Sequence, residues 1–448
     1  MSQRTRPFAP TELGLPGPTG LDMARSFRDI RADPVAFLSG TAHRYGDLVA
    51  FPVPGPPVLL VNEPAQVTGI LQTGARAWTK DTTQYRALRR VTGPGLLATA
   101  EPDWLQHRRL ATPAFHRDRL AALSARVRAL IARDAALMLN RQGAAVIDVA
   151  PVMDRISLTA MGTTLFSDDF EKLAPTLLTA SRAASGAVVA LGRSILPGAR
   201  WLPSPTNARL LRARRSLAAA SRSLVASRRR HSPRPNDAGD LLGLLLASSL
   251  NDEQVHSEIV TMMIAGHETV GAAMAWTLML LAEHQSVQDA VRREANLGDA
   301  SLSGSHSHLP LTRAVIDEAL RLYPSAWVLS RRATQATRLA DLDVPAGTQV
   351  IISPWLLHRH PAHWSDPETF RPDRFLDVPG RRASYLPFGQ GPRLCIGREM
   401  TLGQMAIALQ VILATHHVGL PQPWTRPRPE ALVTIHPRGG MPLTLTHR

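Results

Sequence analysis

From about residue 103 to residue 290, Leu, Ala and Val recur at three- and four-residue spacing, the period of amphipathic helices, and this stretch predicts a helix-rich body. Residues 22 to 46 also read as helix, whereas LVAFPVPGPPVLLV, from Leu48 to Val61, reads as short strands broken by Pro-Gly turns. The segment from Asp252 to Glu283 lacks proline and is apolar on every side. That pattern predicts one long helix inside the protein rather than on its surface. Past Tyr323 and Pro324 the chain turns to Thr, Val, Ile, Pro and Gly, as in VPAGTQVIISP, the composition of sheet and turns. A last helix over Ile396 to His416 and a strand pair near Thr434 to Thr446 complete the pattern. RRRHSPRPNDAGD, from Arg228 to Asp240, has no apolar period and reads as a surface loop, with a domain boundary as the alternative. Residues 1–21 form a Pro-rich leader, and no internal repeat is present.

Composition sharpens this outline. Of 448 residues, 44% are apolar and 19% charged, enough for a large core, which excludes a disordered or fibrous chain. The formal charge is +15, yet Lys80 and Lys172 are the only lysines, so the basicity is almost pure arginine. A GC-rich genome explains that bias better than an evolved phosphate-binding surface, which usually mixes Lys with Arg, so no nucleic acid is expected as partner. The N-terminus carries charges and prolines where a signal peptide needs an apolar run. Nowhere do about 18 uncharged apolar residues run together, so a cytoplasmic protein with no membrane anchor is expected. His306 and His308 lie in a Ser/Gly loop, and His358, His360 and His363 are interleaved with Pro361 and Trp364. Neither cluster has a recognised metal-ligand spacing.

Cys395 is the single cysteine, which excludes an internal disulfide and multi-cysteine zinc. It lies in FGQGPRLCIGREM, Phe388 to Met400, where Gly389 and Gly391 allow a tight turn, Pro392 stiffens it and a helix follows. At a helix N-terminus unpaired amides favour a thiolate, the form that ligates metal or attacks electrophiles. An isolated cysteine is equally often an inert buried apolar residue. A dinucleotide loop is excluded, because Leu394 stands where the third glycine of GxGxxG belongs.

FGQGPRLCIG matches F-x-x-G-x-R-x-C-x-G at every defined position, and in this the chain resembles the haem-thiolate monooxygenases of the cytochrome P-450 family, soluble bacterial type. The resemblance implies a mainly α fold with a smaller β-rich part, one haem domain over residues 1–448, and haem b held by Cys395 as axial iron ligand. Arg393 would meet a haem propionate, with Phe388 and Gly389 beside the cofactor. Thiolate ligation favours O–O cleavage.

Other segments have readings of their own. In AGHETV, Ala265 and Thr269 share a helix face and Gly266 permits close approach to the backbone, a common core arrangement. By resemblance this is the oxygen-activating segment, with Ala265 and Gly266 at the cofactor, Thr269 holding dioxygen and Glu268 in the proton relay. H-E-x-x-H fails, since Gly271 stands at the second histidine. Glu318 and Arg321 are spaced to pair on one helix face, worth about 0.3–0.5 kcal/mol if exposed. By resemblance they form the E-x-x-R pair, with Arg374 as third member of a buried structural network. Trp104 and Arg108, four apart, offer donors suited to a carboxylate and resemble the haem-facing W-x-x-x-R helix. Of Arg331 and Arg332, spacing favours Arg332 as a further propionate contact.

The resemblance also places the substrate pocket, at the loop from Thr82 to Leu97, the helices near Ser185 to Ile195, the long helix before Ala265, Ser325 to Ser330, and Ile435 to Arg438. Val188, Val189, Met262, Met263, Trp327, Val328 and Leu329 would line it, which implies an apolar substrate, a terpenoid or other secondary metabolite being preferred. Too few residues follow Cys395 for a fused flavin reductase, so a separate ferredoxin and ferredoxin reductase are implied, docking on arginines near the cysteine face such as Arg398. A peroxide-driven enzyme is disfavoured by Glu268 and Thr269. A haem-binding sensor or carrier would not need that pair.

Overall fold

The computed structural model describes residues 10–139, 145–167, 170, 173–192, 204–230, 239–304, 308–376 and 383–448. Most of the leader, His306, the end of the segment reaching Ile195 and the middle of the stretch from Arg228 to Asp240 lie outside the described residues. The ends of that last stretch are joined, Arg228 Nη2 lying 2.6 Å from Asp240 Oδ2.

Helices dominate, and the longest is the expected one, Asp252–Glu283. A capping box starts it: Asn251 accepts from the Gln254 N–H at 2.9 Å, and the Gln254 side chain accepts from the Asn251 N–H at 3.0 Å. This long helix is buried along most of its length. Helix Val149–Phe166 runs close against it where glycines leave room, a Cβ on Gly266 falling 2.8 Å from Met161 Cγ. Helices Ala174–Gly192 and Pro205–Arg230 pack on each other, and Pro310–Leu322 and Arg398–Thr415 close the other side. One large apolar cluster extends in sequence from Val35 to Leu445. Among the described residues no helix is long and apolar enough to cross a membrane.

Three expectations are corrected. The helix over residues 22 to 46 is three helices, Gly20–Arg25, Phe27–Ala32 and Pro34–Tyr45. Asp33 causes the second break: its carboxylate caps the Ala36 N–H at 3.0 Å, and Pro34, lacking an N–H, suits the first position of the next helix. The last helix begins at Arg398 rather than Ile396. The C-terminal strands do not pair with each other. Ile435–Pro437 pairs with Pro429–Ala431, and after the turn at Gly439 and Gly440 the strand Pro442–His447 enters another sheet between Ala145–Asp148 and His416–Gly419.

The sheet that bears on the site has five strands, ordered Leu48–Phe51, Val58–Val61, Gln349–Ile352, Leu329–Ala333 and Trp78–Thr79. Its last pair sets Thr79 opposite Arg332, which brings the turn at Lys80 beside Arg331 and Arg332.

Candidate active site

Cys395 closes a tight loop in which its N–H donates to the Phe388 carbonyl at 3.0 Å. Gly391 has φ +70°, and a Cβ there would fall 2.0 Å from the Leu71 carbonyl oxygen, so this position requires glycine twice over. The thiol is accessible to solvent although protein surrounds it. That combination describes a side chain facing an internal space. Burial pushes the thiol above its ordinary range, against the opposing pull of the Gly397 N–H, Arg108, Lys80 and Arg398. Desolvation and these neighbours thus pull the thiol in opposite directions.

Around the cysteine gathers positive charge. Arg108 donates to the Leu394 carbonyl at 2.9 Å, tying helix Asp103–Ala111 to the loop. Trp104, one turn earlier, is buried with the Arg393 guanidinium 3.8 Å above its ring. Arg393 donates to the Thr99 carbonyl at 2.9 Å and faces Glu101. Lys80, missed in the sequence, completes the group: it is 9% exposed, donates to the Leu97 carbonyl and rests 4.6 Å from the Tyr85 ring centroid. Desolvation first, then Arg331 and Arg393, hold its ammonium well below the usual lysine range. The neighbour is thus Arg331, 6% exposed, and not Arg332. Arg332 turns to Asp81, 2.7 Å from its carboxylate and 2.8 Å from its carbonyl. Alternation along the strand sends the two arginines to opposite sides.

Between Ser257 and Ala282 the long helix is buried at every position except Ala265, Gly266 and Thr269. These fall on one side of the helix, so an open face occurs mid-helix, where a solvent surface is not expected. Thr269 Oγ1 donates back to the Ala265 carbonyl at 2.8 Å. The group that comes close to Gly266 is Met161 of the neighbouring helix, so the glycine serves helix packing there. Glu268 does not share the open face. It points into the protein, where Ser185 Oγ donates to its two oxygens at 2.7 and 3.0 Å, and burial raises its carboxyl to about 7. Of the expected pocket residues, Val189, Val328 and Leu329 are half-buried, and Val188, Met262 and Trp327 are buried with a little surface left. Met263 has none and belongs to the core. A further pair absent from the sequence reading, His107 and Glu258, bonds across the interior and pins the Trp104 helix to the long helix.

Glu318, Arg321 and Arg374 come together as anticipated. Arg321 grips Glu318 at 2.7 and 2.8 Å and donates to the carbonyls of His358, Pro367 and Thr369, while Arg374 reaches Glu318 at 3.2 Å. His358, considered above only as a metal candidate, accepts from the Leu386 N–H at Nε2 and donates through Nδ1 to the Arg321 carbonyl. Burial, Arg321 and Arg359 lower it to about 3, so it is neutral. Among the described residues no group of three His, Cys, Asp or Glu is placed to hold a metal ion.

Comparison with known proteins agrees with this arrangement. The family model for cytochrome P-450 matches residues 16–443. Pentalenene oxygenase of Streptomyces avermitilis is 32% identical over 436 residues, covering 93% of both chains. Cyclooctatin synthase of Streptomyces melanosporofaciens is 29% identical over 443 residues, covering 95% of this chain and 94% of its own. Among solved structures, CYP175A1 from Thermus thermophilus superposes with a TM-score of 0.78 at 30% identity, covering 97% of this chain and all of that one. On that match, spanning nearly the whole length, the chain belongs to the cytochrome P-450 family of haem-thiolate oxidoreductases.

Proposed function

We propose that the protein is a single haem domain that hydroxylates or epoxidises an apolar small molecule of the terpenoid class. It would use dioxygen and electrons from a separate ferredoxin and its reductase. The observation that carries the reading is the buried excess of positive charge beside Cys395. Lys80 bears on Arg331, Arg393 and the cysteine, Arg393 on Arg331, and Arg108 on the cysteine, and the carboxylate facing Lys80 and Arg393 is Glu101. Such a cluster fits a ligand that brings carboxylates of its own, and haem b has two. Cys395 Sγ would be the axial iron ligand, supported by the Gly397 N–H.

When bound, a thiolate-ligated haem supplies the activation of dioxygen. This chain's residues do the rest. Ala265 and Thr269 present an open helix face with a hydroxyl on it, and Glu268 behind them holds or releases a proton near neutral pH. That acid and alcohol favour dioxygen over peroxide as oxidant. Val189, Val328 and Leu329, half-buried and apolar, support an apolar substrate, and a relative named for pentalenene supports the terpenoid class. Part-exposed Arg398 near the cysteine supports docking of an acidic electron carrier.

The test is the reduced, CO-bound absorption spectrum of the haem-loaded protein and of Cys395→Ser. The thiolate-shifted Soret band is expected in the first and absent from the second. A shifted band that survives the substitution overturns the assignment of Cys395.

A further inference from the structure

We infer that Ser185 is a positioning residue for Glu268, its hydroxyl orienting the carboxylate and favouring the ionised form. The inference rests on Glu268 being the proton source proposed above.

Ser185 lies on helix Ala174–Gly192 with 4% of its surface exposed, and Glu268 on the long helix with 2%. A carboxylate out of water needs hydrogen-bond donors, or it takes up a proton. Among the described residues the side-chain donor that reaches it is the Ser185 hydroxyl, 2.7 Å from one oxygen and 3.0 Å from the other. No sequence motif marks this serine, which sits in a run of Ala, Gly and Val.

The other charges round the acid come from each element packed there. Asp154, on helix Val149–Phe166, raises the proton affinity of Glu268, and Arg182, one turn before Ser185, lowers it. These two are themselves joined at 2.7 Å. His267, on the same helix as Glu268, is bonded to the Met263 carbonyl, and His436 on strand Ile435–Pro437 is bonded to Thr434. Burial lowers both imidazoles, so neither brings positive charge to Glu268 at neutral pH. Desolvation and Asp154 thus push the acid toward protonation, and Ser185 and Arg182 oppose them. Ser185 is the member in direct contact.

Infrared titration of the haem-loaded protein tests this, following the protonated carboxyl band that Glu268→Gln removes. Ser185→Ala is expected to raise its midpoint by about one pH unit, and Ser185→Thr, which keeps the hydroxyl, to leave it near the wild-type value. Asp154→Asn is expected to lower it, and this second variant keeps the question open to measurement if Ser185→Ala fails to retain haem. A midpoint in Ser185→Ala that coincides with wild type overturns the proposal. Oxygen uptake driven by a surrogate ferredoxin and its reductase should fall as pH rises through the same midpoint, because the protonated acid is the donor, and Ser185→Ala should move that limb to higher pH. If the infrared midpoint moves while the uptake limb stays, the assignment of Ser185 stands and the relay role of Glu268 is lost.

Discussion

Two clusters of buried charge are built on opposite plans. Around Glu318 the two guanidiniums of Arg321 and Arg374 are met by a carboxylate and by the carbonyls of His358, Ser365, Pro367 and Thr369. The cluster is closed on itself, and its donors have acceptors within the protein. Around Cys395, Lys80 and Arg393 face Glu101 and backbone carbonyls, Arg108 and Arg331 meet backbone carbonyls, and desolvation holds the Lys80 ammonium well below its ordinary range. A closed cluster holds a fold, whereas an open one of this kind is a standing cost in the bare chain, repaid only by a ligand of opposite charge.

Arg321→Ala breaks the closed cluster and carries the largest expected effect. It leaves Glu318 buried with its chief partner gone and strips donors from three carbonyls, a loss of about 3–5 kcal/mol. Urea unfolding should show that loss with or without haem, and an unchanged midpoint would remove the structural role given to the network. Lys80→Met sharpens the comparison, because its effect should differ in sign between the two forms. The haem-free protein should gain stability as a desolvated cation disappears, while the loaded protein loses a charge-assisted hydrogen bond of about 1.5–3 kcal/mol and releases haem at least tenfold faster to an acceptor protein. Equal shifts in both forms would show that Lys80 faces no carboxylate of the cofactor. Arg332→Met should do least, under about 1 kcal/mol in either form, since both it and its partner Asp81 are part-exposed and screened.

Much of this was legible in the sequence because it is local. Cys395, Arg393 and the glycines between Phe388 and Gly397 stand within ten positions, and Glu318 with Arg321 and Trp104 with Arg108 sit one helical turn apart. What was missed depends on distant pairing. Lys80 shows no pattern in AWTKDT, and the one hint, that it is one of two lysines in a chain whose other basic residues are arginine, acquires meaning only when the strand at Trp78 is laid against Ala333. The same pairing sets Arg331 toward Lys80 and Arg332, the one that spacing favours, toward Asp81. Glu268 is read correctly as an acid beside a threonine, but its direction depends on a helix over eighty residues earlier, where Ser185 waits. The break at Asp33 was visible, since an Asp-Pro pair is a helix start inside a helical period.

His358 joins the two clusters. One ring nitrogen is committed to Arg321 and the other to the backbone of Leu386, whose carbonyl in turn receives the N–H of Gly389 at the entrance to the cysteine loop. This strut ties the path of the cysteine loop to the closed cluster, and the order it predicts is a loop placed after that cluster. In the haem-free protein, amide hydrogen exchange should find Leu386 already protected while amides beyond Gly389 still exchange. That pattern of protection would make haem capture the last event of folding, at a seat whose back is already fixed.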